Sequence, residues 1–259
     1  MDPSTLKYYH VDEFESKPFL NTYFSLEGDK ELLNDGLVNF TTYLHKEFAK
    51  GNIKRDMLIE ISPGPVIFTL LPVCNYFKEI ILLKFNDHSI NEMKKWINGN
   101  AAFDWSHASK IIKDLEGNCD ELQEKEDVLR TNIKDVLKCD LSKENLTDPI
   151  ILPKADCIIT AWVLEMVSKD KDAYCNNLRK IYSLLKPGGH LVMICDINVS
   201  FLKIGEHNFH ILTYDEEFPK KTLKDLGFKI ESYEVYEKTS STTDIDYEKV
   251  MCLTALKKF

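Results

Sequence analysis

The residues best suited to chemistry lie in short segments at the ends of apolar runs. Glu60 closes the run M-L-I-E-I (57–61) and precedes a loop built on Ser62, Pro63, Gly64 and Pro65. Lys84 ends a second run, E-I-I-L-L-K-F (79–85). Asp140 follows Lys138-Cys139, and Glu165 lies in W-V-L-E-M (162–166), just after A-D-C-I-I-T-A. A carboxylate at such a place accepts hydrogen bonds or pairs with an amine, whereas an ammonium is a donor only. A loop after the first strand of an α/β sheet is where a nucleotide-type cofactor is cradled. This loop holds one glycine where two or three are expected. His10, His190, His207 and His210 are scattered and show no metal spacing.

Strands and helices must alternate to bring these segments together. Residues 12–50 place aromatic and apolar positions at helical spacing and stop at Lys50-Gly51. The spacing predicts strands over 56–61, 79–85, 155–161 and 190–196, with helices over 66–77, 89–97, 170–185 and 216–226. Residues 98–120 read as mixed and turn-rich. Residues 121–138 read as one helix, with Cys139-Asp140-Leu141 opening an extended piece. Pro187-Gly188-Gly189 marks a turn before the strand at 190. The alternating stretches 228–236 and 250–257 suit an antiparallel pair at the end of a parallel sheet. The expectation is one doubly wound α/β domain over 1–259, with an N-terminal helical cap (1–50) on a core (51–259). The loop at 61–68, the stretch at 83–89, the Cys139-Asp140 corner and 160–166 then converge at the carboxyl ends of the central strands, a pocket for a small ligand.

Composition narrows the class. The 259 residues are 44% hydrophobic and 29% charged, as in ordinary globular proteins. A net charge of −9 argues against nucleic acid or an anionic membrane as the main partner. The seven cysteines form no C-x-x-C pair, which points to a reducing, cytoplasmic setting. The polar N-terminus is unlike a signal peptide, and no apolar run reaches membrane-spanning length. A monomer is expected.

K-P-G-G-H-L-V (186–192), K-C-D (138–140), L-E-G-N (115–118), F-D-W-S (103–106) and F-K-E-I (77–80) together resemble the small-molecule N-methyltransferase family. That family includes the nicotinamide, phenylethanolamine and indolethylamine N-methyltransferases. The similarity runs from about residue 8 to the C-terminus. It implies a class I, Rossmann-like methyltransferase fold with a seven-stranded sheet, S-adenosylmethionine as donor, and a small amine or pyridine as acceptor. Catalysis in such an enzyme is positioning, exclusion of water and, where the acceptor has one to lose, removal of a proton.

Several positions matching the family's cofactor site depart from it. The family's first loop reads D-I-G-S-G-P-T-I-Y, against E-I-S-P-G-P-V-I-F here (60–68). Glu60 keeps an acid that can pair with the cofactor's amino group, and Gly64 is kept. Ser62 replaces a glycine, and Pro63 removes an N–H and restricts Ser62 to extended conformations. Phe68 replaces a tyrosine. Lys84 stands where the family's aspartate accepts from both ribose hydroxyls. In S-K-P-F-L-N-T-Y-F (16–24), Phe19 and Phe24 stand at two tyrosine positions of the family's lid, and Tyr23 is kept. Ser89 is a further matching position. Asp140 matches the acid beside the adenine amino group, and Leu141 packs on the adenine. Glu165 aligns with an acid facing the acceptor amine. Asp196 lies one place beyond the family's acid after the fifth strand, where this chain has Cys195.

A hydrogen bond to a charged group is worth roughly 1.5–3 kcal/mol. Losing several, even at about 4 kcal/mol in total, moves a micromolar affinity to roughly millimolar. The expectation is a nicotinamide N-methyltransferase-like protein with a degraded S-adenosylmethionine site, weakly active or inactive, acting as a binding or structural protein. The alternative is an active N-methyltransferase whose cofactor site is reorganised around Glu60, Asp140 and Glu165.

Overall fold

The computed structural model describes residues 6–8, 14–53, 56–101, 103–117 and 122–258. Cys119 and His10 lie outside these. The apolar runs that opened the reading form the central strands. They are β1 (Met57–Ile61), β2 (Glu79–Lys84) and β4 (Ala155–Ala161), with β1 and β4 buried along their whole length. Burial on both faces explains their continuous apolar character. With β3 (Ile133–Lys138), β5 (Leu185–Ile197), β8 (Phe228–Glu237) and β9 (Lys249–Lys257) they form a seven-stranded sheet, ordered β3-β2-β1-β4-β5-β9-β8. β9 runs antiparallel to both β5 and β8, while the remaining pairs are parallel. The expected closing pair is therefore present. The order reverses between β1 and β4, so the cleft at their carboxyl ends is the switch point.

Helices α1 (Ser16–Phe24), α2 (Lys30–Leu33) and α3 (Asn39–Ala49) form the N-terminal cap, with a π-helical turn at Asn34–Val38. The helices α4 (Asp87–Ile97), α5 (Ser106–Glu116), α6 (Leu122–Asn132), α7 (Leu164–Val167), α8 (Lys171–Leu184) and α9 (Glu217–Asp225) follow. No helix among the described residues is long and apolar enough to cross a membrane. The six described cysteines are free, five of them buried.

Five stretches differ from the sequence reading. Pro187-Gly188-Gly189, expected as a turn, lie inside β5, at an irregularity in its pairing with β4. Residues 66–77 form successive turns and a short 3-10 helix, not one α-helix, because Pro72 has no N–H to continue an α pattern. The stretch read as turn-rich contains α5, whose stop is Gly117 at φ 69°. The single helix read over 121–138 ends at Asn132, and Ile133–Lys138 is β3. As the outermost strand beside β2, β3 is only half-buried and carries three charges, so its alternation is weak. Cys139-Asp140-Leu141 consequently leaves a strand instead of opening one. Finally, β6 (Phe201–Ile204) and β7 (His207–His210) form a small antiparallel hairpin that the sequence reading lacked.

Candidate functional site

The register of β1 and β2 builds the centre of the site. Ile61 pairs with Leu83, so the next step sets Ser62 beside Lys84. Side chains alternate along a strand, which puts Glu60, Ser62 and Lys84 on one face. The Lys84 ammonium donates to Glu60 Oε2 at 2.9 Å and to the Ser62 hydroxyl. The Lys84 and Glu60 side chains are both 0% exposed. The other Glu60 oxygen accepts from the Thr69 hydroxyl at 3.3 Å. Burial pushes the Lys84 ammonium below its ordinary pKa, against the opposing pull of the Glu60 charge.

The loop after β1 is tied down from both sides. The Ser62 hydroxyl reaches the Gly64 carbonyl at 3.4 Å, and the Ser89 hydroxyl donates to the Pro63 carbonyl at 3.3 Å. Ser89 is itself fixed in the first turn of α4, where its N–H donates to the Asn86 side chain at 2.8 Å. Over the loop lies the Phe19 ring. A Cβ on Gly64 would stand 2.3 Å from Phe19 Cε1, so only glycine permits this approach.

The three phenylalanines at tyrosine positions pack into one cluster. Phe24 meets Phe19 at 5.3 Å and Phe68 at 5.1 Å between ring centroids, with Trp105 and Trp162 at 5.9 and 6.3 Å. Tyr23 keeps its hydroxyl but turns it away from the loop, donating to the Lys203 carbonyl at 2.7 Å, with the Asp244 carbonyl at 3.2 Å. Its match to the family pattern is therefore a match of position, with the hydroxyl fastening α1 to the hairpin.

Behind this cluster is a small cavity of about 60 Å³, lined by Phe24, Trp162, Glu165, Asp196 and Tyr247 among others. Trp162 sits at φ 51°, an uncommon backbone conformation for a bulky residue, and its indole N–H donates to Asp196 Oδ1 at 3.0 Å. Glu165 Oε1 accepts from the Asp196 backbone N–H at 3.2 Å. Burial, with the Asp196 charge adding to it, pushes Glu165 up to about 8. Burial likewise pushes Asp196 up to about 7, against the Trp162 hydrogen bond. The two predicted acids thus stand together.

Asp140 and Leu141 lie elsewhere, on an open cleft of about 910 Å³ that Phe85, Val167 and Lys169 also line. Asp140 Oδ1 accepts from the Ser142 N–H at 2.9 Å and its hydroxyl at 2.6 Å, and the hydroxyl bond holds the carboxyl below its usual range.

Sequence reasoning missed Asp35. This carboxylate, buried in the π-helical turn, accepts from Thr239 N–H (2.8 Å), the Thr239 hydroxyl (2.6 Å), Ser240 N–H (3.0 Å) and the Tyr247 hydroxyl (2.7 Å). It clasps the cap to the segment carrying Tyr247. Its signal in sequence, N-D-G, reads as a turn. No group of three or more metal-ligating side chains occurs among the described residues.

Residues 3–258 match the model of the NNMT/PNMT/TEMT family. The chain is 37% identical over 246 residues to the indolethylamine N-methyltransferase of Oryctolagus cuniculus, covering 95% of this chain and 94% of that protein. It is 35% identical over 254 residues to the nicotinamide N-methyltransferase of Homo sapiens, covering 98% and 96%. Among solved structures, a magnesium protoporphyrin IX methyltransferase from Synechocystis with bound S-adenosylmethionine matches with a TM-score of 0.58 at 12% identity, covering 93% of this chain and 90% of that one. At that identity the likeness speaks for the class I methyltransferase fold alone. With the family model spanning nearly every residue and two N-methyltransferases above 30% identity over nearly the whole chain, this protein belongs to the NNMT/PNMT/TEMT family.

Proposed function

We propose that this chain is a one-domain, methyltransferase-fold binding protein that has lost S-adenosylmethionine-dependent transfer, or retains it only weakly. The observation that carries the reading is the Lys84 ammonium, fully buried against Glu60 and Ser62. S-adenosylmethionine presents an ammonium, a sulfonium and two ribose hydroxyls to this end of the cleft. The ammonium and the hydroxyls need acceptors, and the sulfonium needs negative charge nearby. Lys84 supplies a donor in place of an acceptor and adds a like charge. Glu60 already uses one oxygen for Lys84 and the other for Thr69. Phe19 covers Gly64, where a ligand would approach the backbone most closely. The residues at this end therefore do not fit the cofactor.

The competing reading is an active N-methyltransferase of a small amine or pyridine with a reorganised cofactor site. It draws on Glu165 and Asp196, which remain paired beside an aromatic-walled cavity. That reading requires Lys84 to leave Glu60 whenever the donor binds, exposing two charges that are now sealed from water.

Calorimetric titration of the full chain with S-adenosylmethionine separates the two, alongside a methyl-transfer assay on a panel of primary amines and pyridines. The expected result is binding at roughly millimolar strength or weaker, with no turnover. Low-micromolar binding of the donor, or methylation of any acceptor at enzymatic rates, overturns the reading.

A further inference from the structure

The hairpin of β6 and β7 is a ribbon of two four-residue strands, and each of its edges is bridged by a distant part of the chain. On the β7 side Lys7 donates its N–H to the Asn208 carbonyl at 2.8 Å and accepts from the His210 N–H at 2.7 Å. On the β6 side the Lys203 N–H donates to the Asp244 carbonyl at 2.7 Å, and Leu202 stands opposite Ile245. Four segments therefore run side by side, in the order 6–8, β7, β6 and 244–245. Each outer segment also borders a cavity. Tyr8 lines the open cleft, whereas Ile245 and, two residues on, Tyr247 line the small cavity behind the aromatic cluster. Side chains reinforce both seams. The Tyr8 and His210 rings lie 5.2 Å apart between centroids, and the Tyr23 hydroxyl donates to the Lys203 carbonyl at 2.7 Å.

We infer that the β6–β7 hairpin couples the covers of the two cavities: loosening the segment at Tyr8 loosens the segment at Ile245, and the reverse. The physical cause is the weakness of a ribbon of two strands, which is marginal by itself and gains persistence from further strands or a packed face. Each outer segment supplies part of that support. Taking one away leaves a ribbon that holds the other less firmly. A coupling of this kind is a free energy shared between two places, so it acts equally in both directions. The open cleft and the cavity that holds Glu165 and Asp196 are then not independent of one another, whichever functional reading holds.

Native-state hydrogen exchange of the full chain, followed by NMR at single amides, tests the coupling from both sides. The reporters are the His210 N–H on the Lys7 seam and the Lys203 N–H on the Asp244 seam. Lys7→Pro removes the N–H given to Asn208. Tyr23→Phe removes the hydroxyl shared by the Lys203 and Asp244 carbonyls. Each substitution thus takes hydrogen bonds from one seam only. Exchange at the substituted seam should quicken by about fivefold. Coupling adds that Lys7→Pro quickens the Lys203 N–H by about twofold or more, and that Tyr23→Phe does the same for the His210 N–H. A smaller change at the opposite reporter overturns the inference. So does a rise there that the amides of β1 and β4 share to the same factor, since the whole fold has then been weakened. No change at either reporter in both variants also overturns it, because the seams would then lend the ribbon nothing. Should one variant fail to fold, the other decides.

Discussion

Lys84 and Phe85 are chain neighbours, yet one is sealed in the interior and the other lines an open cleft. The Lys84 end is dry, charged and internally satisfied: ammonium, carboxylate and two hydroxyls answer one another, with the Phe19 ring over Gly64. The Phe85 end is open, and its one acid, Asp140, is engaged on a single oxygen. The difference separates two uses of polar groups. A buried polar network specifies its own structure and leaves nothing for a ligand, whereas a half-satisfied acid at an open cleft retains capacity to bind. Substitutions at the sealed end are therefore expected to act on stability, and those at the open end on binding.

The largest effect is expected from breaking the sealed pair. Lys84→Ala leaves the Glu60 carboxylate buried and uncompensated, and should cost about 3–5 kcal/mol in urea denaturation. Replacing both partners, Glu60→Met with Lys84→Met, removes the two charges together and should fall within about 2 kcal/mol of the unaltered protein. If the single and double variants lose equal stability, the pair is not the feature that holds this end closed.

Next in size is the response to pH of the acids behind the aromatic cluster. Glu165, raised to about 8, binds its proton more tightly folded than unfolded. The resulting stabilisation is fully present below about pH 4.5 and is lost as pH rises through about 8. Asp196, raised to about 7, acts in the same direction. Both carboxyls therefore lower the stability of the fold as pH rises across that window. Glu165→Gln should flatten the fall, measured by denaturation midpoints at a series of pH values. An unchanged slope in the variant would remove Glu165 from the account.

Gly64→Ala comes third. The added methyl meets the Phe19 ring, which Phe14, Tyr23 and Phe24 hold in place. The expected cost is about 1–3 kcal/mol. Much of it should be relieved in combination with Phe19→Leu, which makes room at the contact, so a double-mutant cycle should show coupling. Simple additivity would mean that the ring does not seal the loop.

How far all this was legible in sequence follows from what each feature depends on. Strands β1, β2, β4, β5 and β9 were readable because their burial is nearly continuous, and β8, only partly buried, was readable from its alternation of apolar and polar residues. The edge strand β3 was not, because Val128, Leu129, Ile133, Val136 and Leu137 fall by chance at helical spacing across a helix–strand junction. The hairpin of β6 and β7 is short and partly polar, and carries no period. At the site, Ser62, Lys84 and the three phenylalanines stood out as departures from a family pattern. That Lys84 would take Glu60 as its partner was invisible, since it depends on the parallel register of two strands 24 residues apart. The turning away of the Tyr23 hydroxyl and the Asp35 clasp depend likewise on segments about 200 residues distant.

The smallest effect on stability is expected at the open end, and there the comparison is sharpest. Asp140→Asn keeps an oxygen that can still accept from the Ser142 N–H and hydroxyl, so the local turn survives. Surface substitutions of this kind usually change stability by no more than about 0.5 kcal/mol. Binding is another matter. The amide presents an N–H₂ where the carboxylate presented an acceptor, so a ligand N–H meets a donor. Losing a hydrogen bond to a charged group is worth roughly 1.5–3 kcal/mol, a fall of about ten- to a hundredfold in affinity for any ligand that donates to that oxygen. Calorimetry and denaturation on the same variant give both numbers. A loss of stability as large as that in Lys84→Ala would make Asp140 a structural acid like Glu60, and the two ends would no longer differ in kind.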